Sequence, residues 1–157
     1  MHYKCYSYRF AEEILNSKLY LKKEIEELIA ELDLDPRNTR SHHRQITELF
    51  SKKGWSTEET ISKDIIMRHD LYKDRVGIEV ETSHIVHTYK DYLKFLISFN
   101  ADKIDVGVLV VYHDKYFEKY GLKSDKYGHK PRFSKVKRDL QLFRLVITVP
   151  IYVIGVF

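Results

Sequence analysis

The side chains best suited to chemistry in this chain are three acids in the segment DLYKDRVGIEVE: Asp70, then Glu79 and Glu81 one strand step apart. Strand side chains alternate, so Val76, Ile78 and Val80 would face a core while Gly77, Glu79 and Glu81 line the opposite, exposed face, at roughly 7 Å per two-residue step. Two carboxylates stacked on one ledge repel each other unless a cation lies between them. A hard divalent ion such as Mg²⁺, with Asp70 as a further oxygen ligand, is a natural neutraliser and suits phosphate chemistry. The plainer alternative is the solvated face of an edge strand whose glutamates pair with lysines.

The elements that would position these acids follow from periodicity. Ala11 to Leu32 predicts one long amphipathic helix, with Ile14, Leu21, Ile25, Leu28 and Leu32 inward, ended by Asp35-Pro36. A second helix is expected over Arg40 to Lys52, stopping at Gly54, with Trp55 packing the turn. Trp55 to Met67 fits helix or strand equally. Arg75 to Thr82 reads as a strand, and His87 to Phe99 as a helix carrying Tyr89, Tyr92, Leu93, Leu96 and Ile97. Ile104 to Tyr112, nearly all apolar, predicts a central strand buried on both faces, flanked by Arg75 to Thr82 and the C-terminal strand Val146 to Val156. Between them lie a loop-rich stretch, His113 to Lys130, and a basic helix, Ser134 to Arg144, with Val136, Leu140 and Phe143 inward. Tyr3 to Tyr8 reads as a short alternating or irregular lead-in. This order implies an α/β fold with a mixed central sheet flanked by helices.

Size and charge narrow the function. The chain has 157 residues, 43% of them hydrophobic and 13% aromatic, with no repeat or low-complexity run, as expected of one globular domain over residues 1–157. The single Cys5 cannot form an internal disulfide, and neither a signal peptide nor a membrane span is legible, so an intracellular, cytoplasmic protein is expected. The net charge of +4 is unevenly spread: Lys115 to Arg144 holds ten Lys/Arg against Glu118, Asp125 and Asp139, leaving the remainder at −3. A basic segment beside an acidic pocket suits a polyanion gripped by its phosphates while a metal acts on one of them. Candidate phosphate contacts are Lys123, Lys126, Lys130, Arg132, Lys135 and Arg138, with Tyr127, His129 and Arg132 able to reach base edges; a solubilising basic face is the alternative. His84 with His87 and the adjacent His42 and His43 lack the cysteine partners of a structural zinc site, and Cys5 has no marked histidine partner for nucleophilic work. No glycine-rich phosphate loop or nucleophile elbow is present.

The same residues carry a family resemblance. AEEILNSKLYLKKEIEEL near the N-terminus, Asp70 with Glu79-Val80-Glu81 nine residues on, and VPIYVIG near the end together resemble the type II restriction endonucleases of the PD-(D/E)xK superfamily, in the branch of BglII and BamHI. The resemblance implies a restriction-endonuclease-like core and a Mg²⁺-dependent endonuclease acting on double-stranded DNA as a homodimer. Asp70, Glu79 and Glu81 would be the catalytic residues, with Asp70, Glu79 and the Val80 carbonyl holding Mg²⁺. Glu81 stands where most of the superfamily has lysine, BamHI has Glu and BglII has Gln, so its role is open among general base, second-metal ligand and water-positioning group. Glu58 is the candidate for a further polar residue that precedes the Asp in these enzymes. By the same analogy His87 to Phe99 would form the dimer face, although core packing explains that helix equally. BglII continues past the shared last strand, so sequence reading here is expected from loops such as Tyr116 to Phe133 or from a partner. The alternative function is a DNA-binding or assembly protein with this fold and no independent cleavage.

Overall fold

Alternating apolar side chains along the strands, with helices covering both sides, set the architecture. In the computed structural model, which describes residues 1–62, 67–121 and 127–157, six strands form one mixed sheet in the order β1-β6-β5-β4-β3-β2. The strands are β1 (Tyr3–Tyr8), β2 (Ser56–Ser62), β3 (Met67–Lys73), β4 (Val76–Val80), β5 (Val106–Tyr112) and β6 (Ile151–Val156). The centre β4-β5-β6 is parallel, and β1, β3 and β2 add antiparallel. As the apolar run predicts, β5 is buried throughout between β4 and β6.

Helices α1 (Ala11–Ser17), α2 (Leu19–Glu31), α3 (His42–Ser51), α4 (His87–Asn100), α5 (Lys115–Lys119) and α6 (Phe133–Leu142) complete the described fold. One face of the sheet presents Val76, Ile78, Val80, Val106, Val108, Val110 and Ile154 to an apolar core with Leu15, Leu21, Ile25, Leu28, Ile46 and Phe50. The other presents Leu109, Val111, Ile151 and Val153 to Tyr92, Phe95, Phe133, Val136 and Leu140. No helix among the described residues is long and apolar enough to cross a membrane.

Several expectations are corrected. The single helix over Ala11 to Leu32 is two, broken at Lys18 (φ −113°, ψ 50°). The buried stripe continues across the break, from Ala11 and Leu15 to Leu21, Ile25, Leu28 and Ile29. The break sends the Lys18 ammonium to Asp105 at 3.1 Å. The ambiguous stretch after Trp55 is strand β2, and Asp70 lies inside β3 rather than ahead of the first strand. The last strand starts at Ile151, not Val146, and Phe143 is 41% exposed instead of inward. The loop-rich stretch contains the short helix α5, and Tyr3 to Tyr8 is a regular edge strand.

Candidate active site

The site is built on the β3–β4 hairpin. Its two turn residues, Asp74 and Arg75, both have positive φ (46° and 66°), the mirror-image turn that matches strand twist. Neither is glycine, and the cost is offset by ion pairs from Arg75 to Asp102 at 2.7 Å and Asp105 at 2.8 Å, and by the Tyr20 hydroxyl donating to Asp74 at 2.7 Å. Pairing between β3 and β4 runs from Lys73–Val76 to Leu71–Ile78 and then stops. Beyond it the Val80 N–H donates to Asp70 Oδ2 at 2.8 Å instead. The two acids meet at this splayed end of the ladder.

Glu79 is not on an exposed ledge. It is fully buried beneath α4, and Glu81 is only 8% exposed. Helix α4 comes this close because Gly77 and Gly107, neighbours across β4 and β5, form a trough: a Cβ on Gly77 would lie 2.9 Å from His69 Nε2, and one on Gly107 would lie 2.5 Å from the Phe95 ring. The His69 ring stacks on Phe95 at 5.8 Å and bonds Glu79 Oε1 through Nδ1 at 2.8 Å. The Lys94 ammonium closes on Glu79 Oε2 and lies 3.4 Å from Asp91.

Carboxyl groups outnumber ammonium groups in this centre, with Asp70, Glu79 and Asp91 against Lys94. Burial, reinforced by Lys94, pushes His69 down to about 4, so its ring is neutral at neutral pH. Burial and the Asp70 charge push Glu79 up despite Lys94, and burial and the Glu79 charge do the same to Asp91. Lys94 is held up: burial pulls it down, but Glu79 and Asp91 outweigh that. Asp70 ends below its ordinary value, because the hydrogen bonds from His43 (3.1 Å) and the Val80 N–H exceed the effect of burial.

Asp70 opens onto a cleft of about 410 Å³ lined by Glu58, Met67, Arg68, Lys90 and Lys94. The β2–β3 register sets Glu58 opposite Asp70, between the pairs Thr57–Leu71 and Glu59–His69, with φ 57° and its carboxylate 3.7 Å from Arg68. Glu81 turns elsewhere: its Oε1 accepts from the Ser83 N–H and hydroxyl, both at 2.6 Å, and from the His84 N–H at 3.1 Å, while Oε2 lies 3.4 Å from His87. Among the described residues no three His, Cys, Asp or Glu side chains are arranged to cage a metal. Asp70 and Glu79 with the Val80 carbonyl nonetheless suit Mg²⁺, which keeps several waters and is held by one or two carboxylates plus substrate oxygens.

The basic candidates are scattered. Lys123 and Lys126 lie outside the described residues. Lys130 donates to the Thr82 carbonyl at 2.8 Å, and Lys135 pairs with Asp139 at 2.7 Å and donates to Tyr89 at 3.1 Å. Arg138 is exposed and Arg132 half-buried. Tyr127 is largely buried and stacked on Phe117 at 4.5 Å. His129 is exposed and stacks on His84 at 5.4 Å. The cations that line the cleft, Arg68, Lys90 and Lys94, together with His43, His69 and Asp91, are the residues sequence reasoning missed. One signal was legible: Thr88, Asp91, Tyr92, Phe95 and Ser98 repeat at helical spacing and form the buried stripe of α4, so polar groups sit on its inner face, whereas Leu93 is 47% exposed.

A family model, restriction endonuclease BglII/BglIII, matches residues 3–156. The chain belongs to that family. Among solved structures it resembles restriction endonuclease BglII complexed with a DNA 16-mer, with a TM-score of 0.77 and 18% identity over 100% of this chain and 78% of that one. It also resembles free BglII, with a TM-score of 0.68 and 20% identity over 100% of this chain and 80% of that one. At these identities the likeness establishes the restriction endonuclease fold. No curated protein sequence matches the chain.

Proposed function

We propose that this member of the BglII/BglIII family is a Mg²⁺-dependent endonuclease that hydrolyses phosphodiester bonds in double-stranded DNA, with residues 1–157 acting as one catalytic core. The observation that carries the reading is the meeting of Asp70, which lines a cleft with Arg68, Lys90 and Lys94, and Glu79, buried behind it within reach of its charge. Asp70, Glu79 and the Val80 carbonyl would hold the metal, which when bound supplies an activated water and neutralises the scissile phosphate. Asp70 is kept ionised by His43 and the Val80 N–H, ready to ligate. Arg68 and Lys90 would grip the phosphate through its oxygens, and Glu58, facing Asp70, could orient water. Lys130, Arg132, Lys135 and Arg138 remain candidates for flanking phosphates, and Glu81 would act through the turn it braces at Ser83–His84.

A homodimer suits the reading, because a two-fold assembly matches duplex DNA and cuts both strands. Its support is apolar surface beside α4 and after α6: Leu145 is 87% exposed, Leu142 71% and Val146 60%, around a hollow lined by Tyr89, Tyr92, Leu93, Phe143, Val146 and Ile147. The second reading, DNA binding without cleavage, is favoured by one observation: Lys94 closes on Glu79 and stands where a metal would bind. Plasmid nicking with Mg²⁺, beside a Glu79→Ala control, decides between them. We expect cleavage by the wild type and a loss of roughly a thousandfold in the variant. Equal rates in both would point to a contaminating nuclease, and an inert wild type that still binds DNA would favour the second reading.

A further inference from the structure

Both carboxylate oxygens of Glu79 are occupied, Oε1 by His69 and Oε2 by Lys94. Each oxygen keeps a further lone pair, but a divalent ion on Glu79 would sit against the Lys94 ammonium and be repelled by it, so metal binding favours withdrawal of that cation. His69 cannot move: its ring is wedged between Gly77 and Phe95, 1% exposed. Lys94 can. It carries a long, flexible stem, it borders the open cleft, and a second acceptor waits at 3.4 Å in Asp91, one helical turn back on α4. Asp91 is itself buried, and its ion-pair partner among the described residues is this same ammonium.

We infer that Lys94 is a positioning residue with two seats: it holds Glu79 when the metal is absent, and it passes to Asp91 when a divalent ion takes Glu79. In the metal-free state the two buried carboxylates share Lys94, and after the exchange each has a cation of its own. Leaving Glu79 bare in the metal-free protein would cost the penalty of an unpaired buried charge, and displacing Lys94 into the cleft with no acceptor would cost the converse. Asp91 removes the second cost. The transferred ammonium stays at the wall of the cleft beside Lys90, adding positive charge where a phosphate would lie. The device rests on the nuclease reading for its metal, but it makes a separate and signed claim about affinity. Because Lys94 competes for Glu79, the apparent metal affinity equals the intrinsic one reduced by the fraction of molecules in which Glu79 is free.

Mn²⁺ titration of the full chain without DNA, followed by calorimetry, reads this directly. Lys94→Met and Lys94→Gln are both expected to bind Mn²⁺ about tenfold tighter than the wild type, and Asp91→Asn about tenfold weaker. Charge removal alone would give the same signs, so the second seat is read from the double variant: with Lys94→Met in place, Asp91→Asn should change Mn²⁺ affinity by less than about twofold, and a tenfold loss that persists there overturns the two-seat role. Metal-free thermal unfolding identifies any variant that fails to fold, and the remaining variants then carry the sign test. Wild-type binding that Glu79→Ala abolishes, with both Lys94 variants unchanged or weaker, overturns the two-seat role and leaves the nuclease reading standing. Absence of any Mn²⁺ binding by the wild type overturns the metal site and this inference together.

Discussion

His42 and His69 are both buried, on opposite faces of the same sheet, and their surroundings differ in hydrogen bonding and in charge. His42 is complete: Nδ1 accepts from the Tyr112 hydroxyl at 2.7 Å, and Nε2 donates to the Asp35 carbonyl at 2.8 Å. His69 is incomplete: Nδ1 serves Glu79, while Nε2 is buried without a hydrogen-bond partner among the described residues. Around His42 lie aromatic rings, Tyr112 and Tyr116, and no excess charge. Around His69 lie Asp70 and Glu79, with the Lys94 ammonium on Glu79 and Asp91 beside that ammonium. A buried polar group whose bonds all close pins a fold, whereas a centre left short of partners has given up stability that a bound ion can restore. The first arrangement ties α3 to β5, and the second is the candidate active site.

The sharpest break of this contrast is His42→Phe. It deprives the Tyr112 hydroxyl of its His42 acceptor and the Asp35 carbonyl of one of two donors, the Asn38 N–H remaining at 2.9 Å, and should lower stability by about 3 kcal/mol in urea unfolding while leaving Mn²⁺ affinity unchanged. A change in metal affinity of the same order would mean the two faces are coupled. Acid titration probes the other histidine. The folded value of His69, about 4, lies below the ordinary 6.5. Its contribution is therefore fully present above pH 6.5 and is lost as pH falls through 4. The ceiling is about 3 kcal/mol, and burial of His42 acts in the same direction. His69→Gln, which does not titrate, should flatten the stability profile between pH 6.5 and 4; an unchanged profile would assign the acid sensitivity elsewhere.

The two regions were unequally legible in the sequence. Strand β5 announces itself, because only a doubly covered strand tolerates Val106 to Val111 without a charge, and its neighbours follow from the same logic. The acids Asp70 and Glu79 could be marked from spacing and from the family pattern. Their environment could not. Strand β3, MRHDLYK, looks polar, because buried His69 and cleft-lining Asp70 serve the site and leave the core to Leu71. The burial of Glu79 depends on α4 settling into the Gly77–Gly107 trough, a contact between segments far apart in sequence. The contact of Lys94 with Glu79 is hidden in the sequence for the same reason.

That trough offers a smaller test. A Cβ at position 77 would meet His69 Nε2 at 2.9 Å, and the ring has no room to retreat from Phe95. Gly77→Ala should therefore cost about 1–2 kcal/mol in unfolding free energy. Unlike His42→Phe, it should also weaken Mn²⁺ binding, because it tilts the histidine that holds Glu79. Destabilisation with undisturbed metal binding would show that His69 does not orient the carboxylate.

The gentlest expected effect separates the floor of the site from its rim. Arg68 is half-exposed and touches Glu58 only at 3.7 Å, and Lys90 is exposed on the outward side of α4, so neither is fixed by the core. Replacing either with alanine should change stability by less than about 0.5 kcal/mol, as exposed ion pairs contribute little. Each would nevertheless remove one phosphate contact. The slope of log affinity against log salt for duplex DNA, measured in Ca²⁺ to prevent cleavage, should then fall by about 0.9 per residue, uniformly across DNA sequences. A loss confined to one DNA sequence would make these side chains base readers. An unchanged slope would move the phosphate grip away from the cleft, toward Lys130 and the surface of α6.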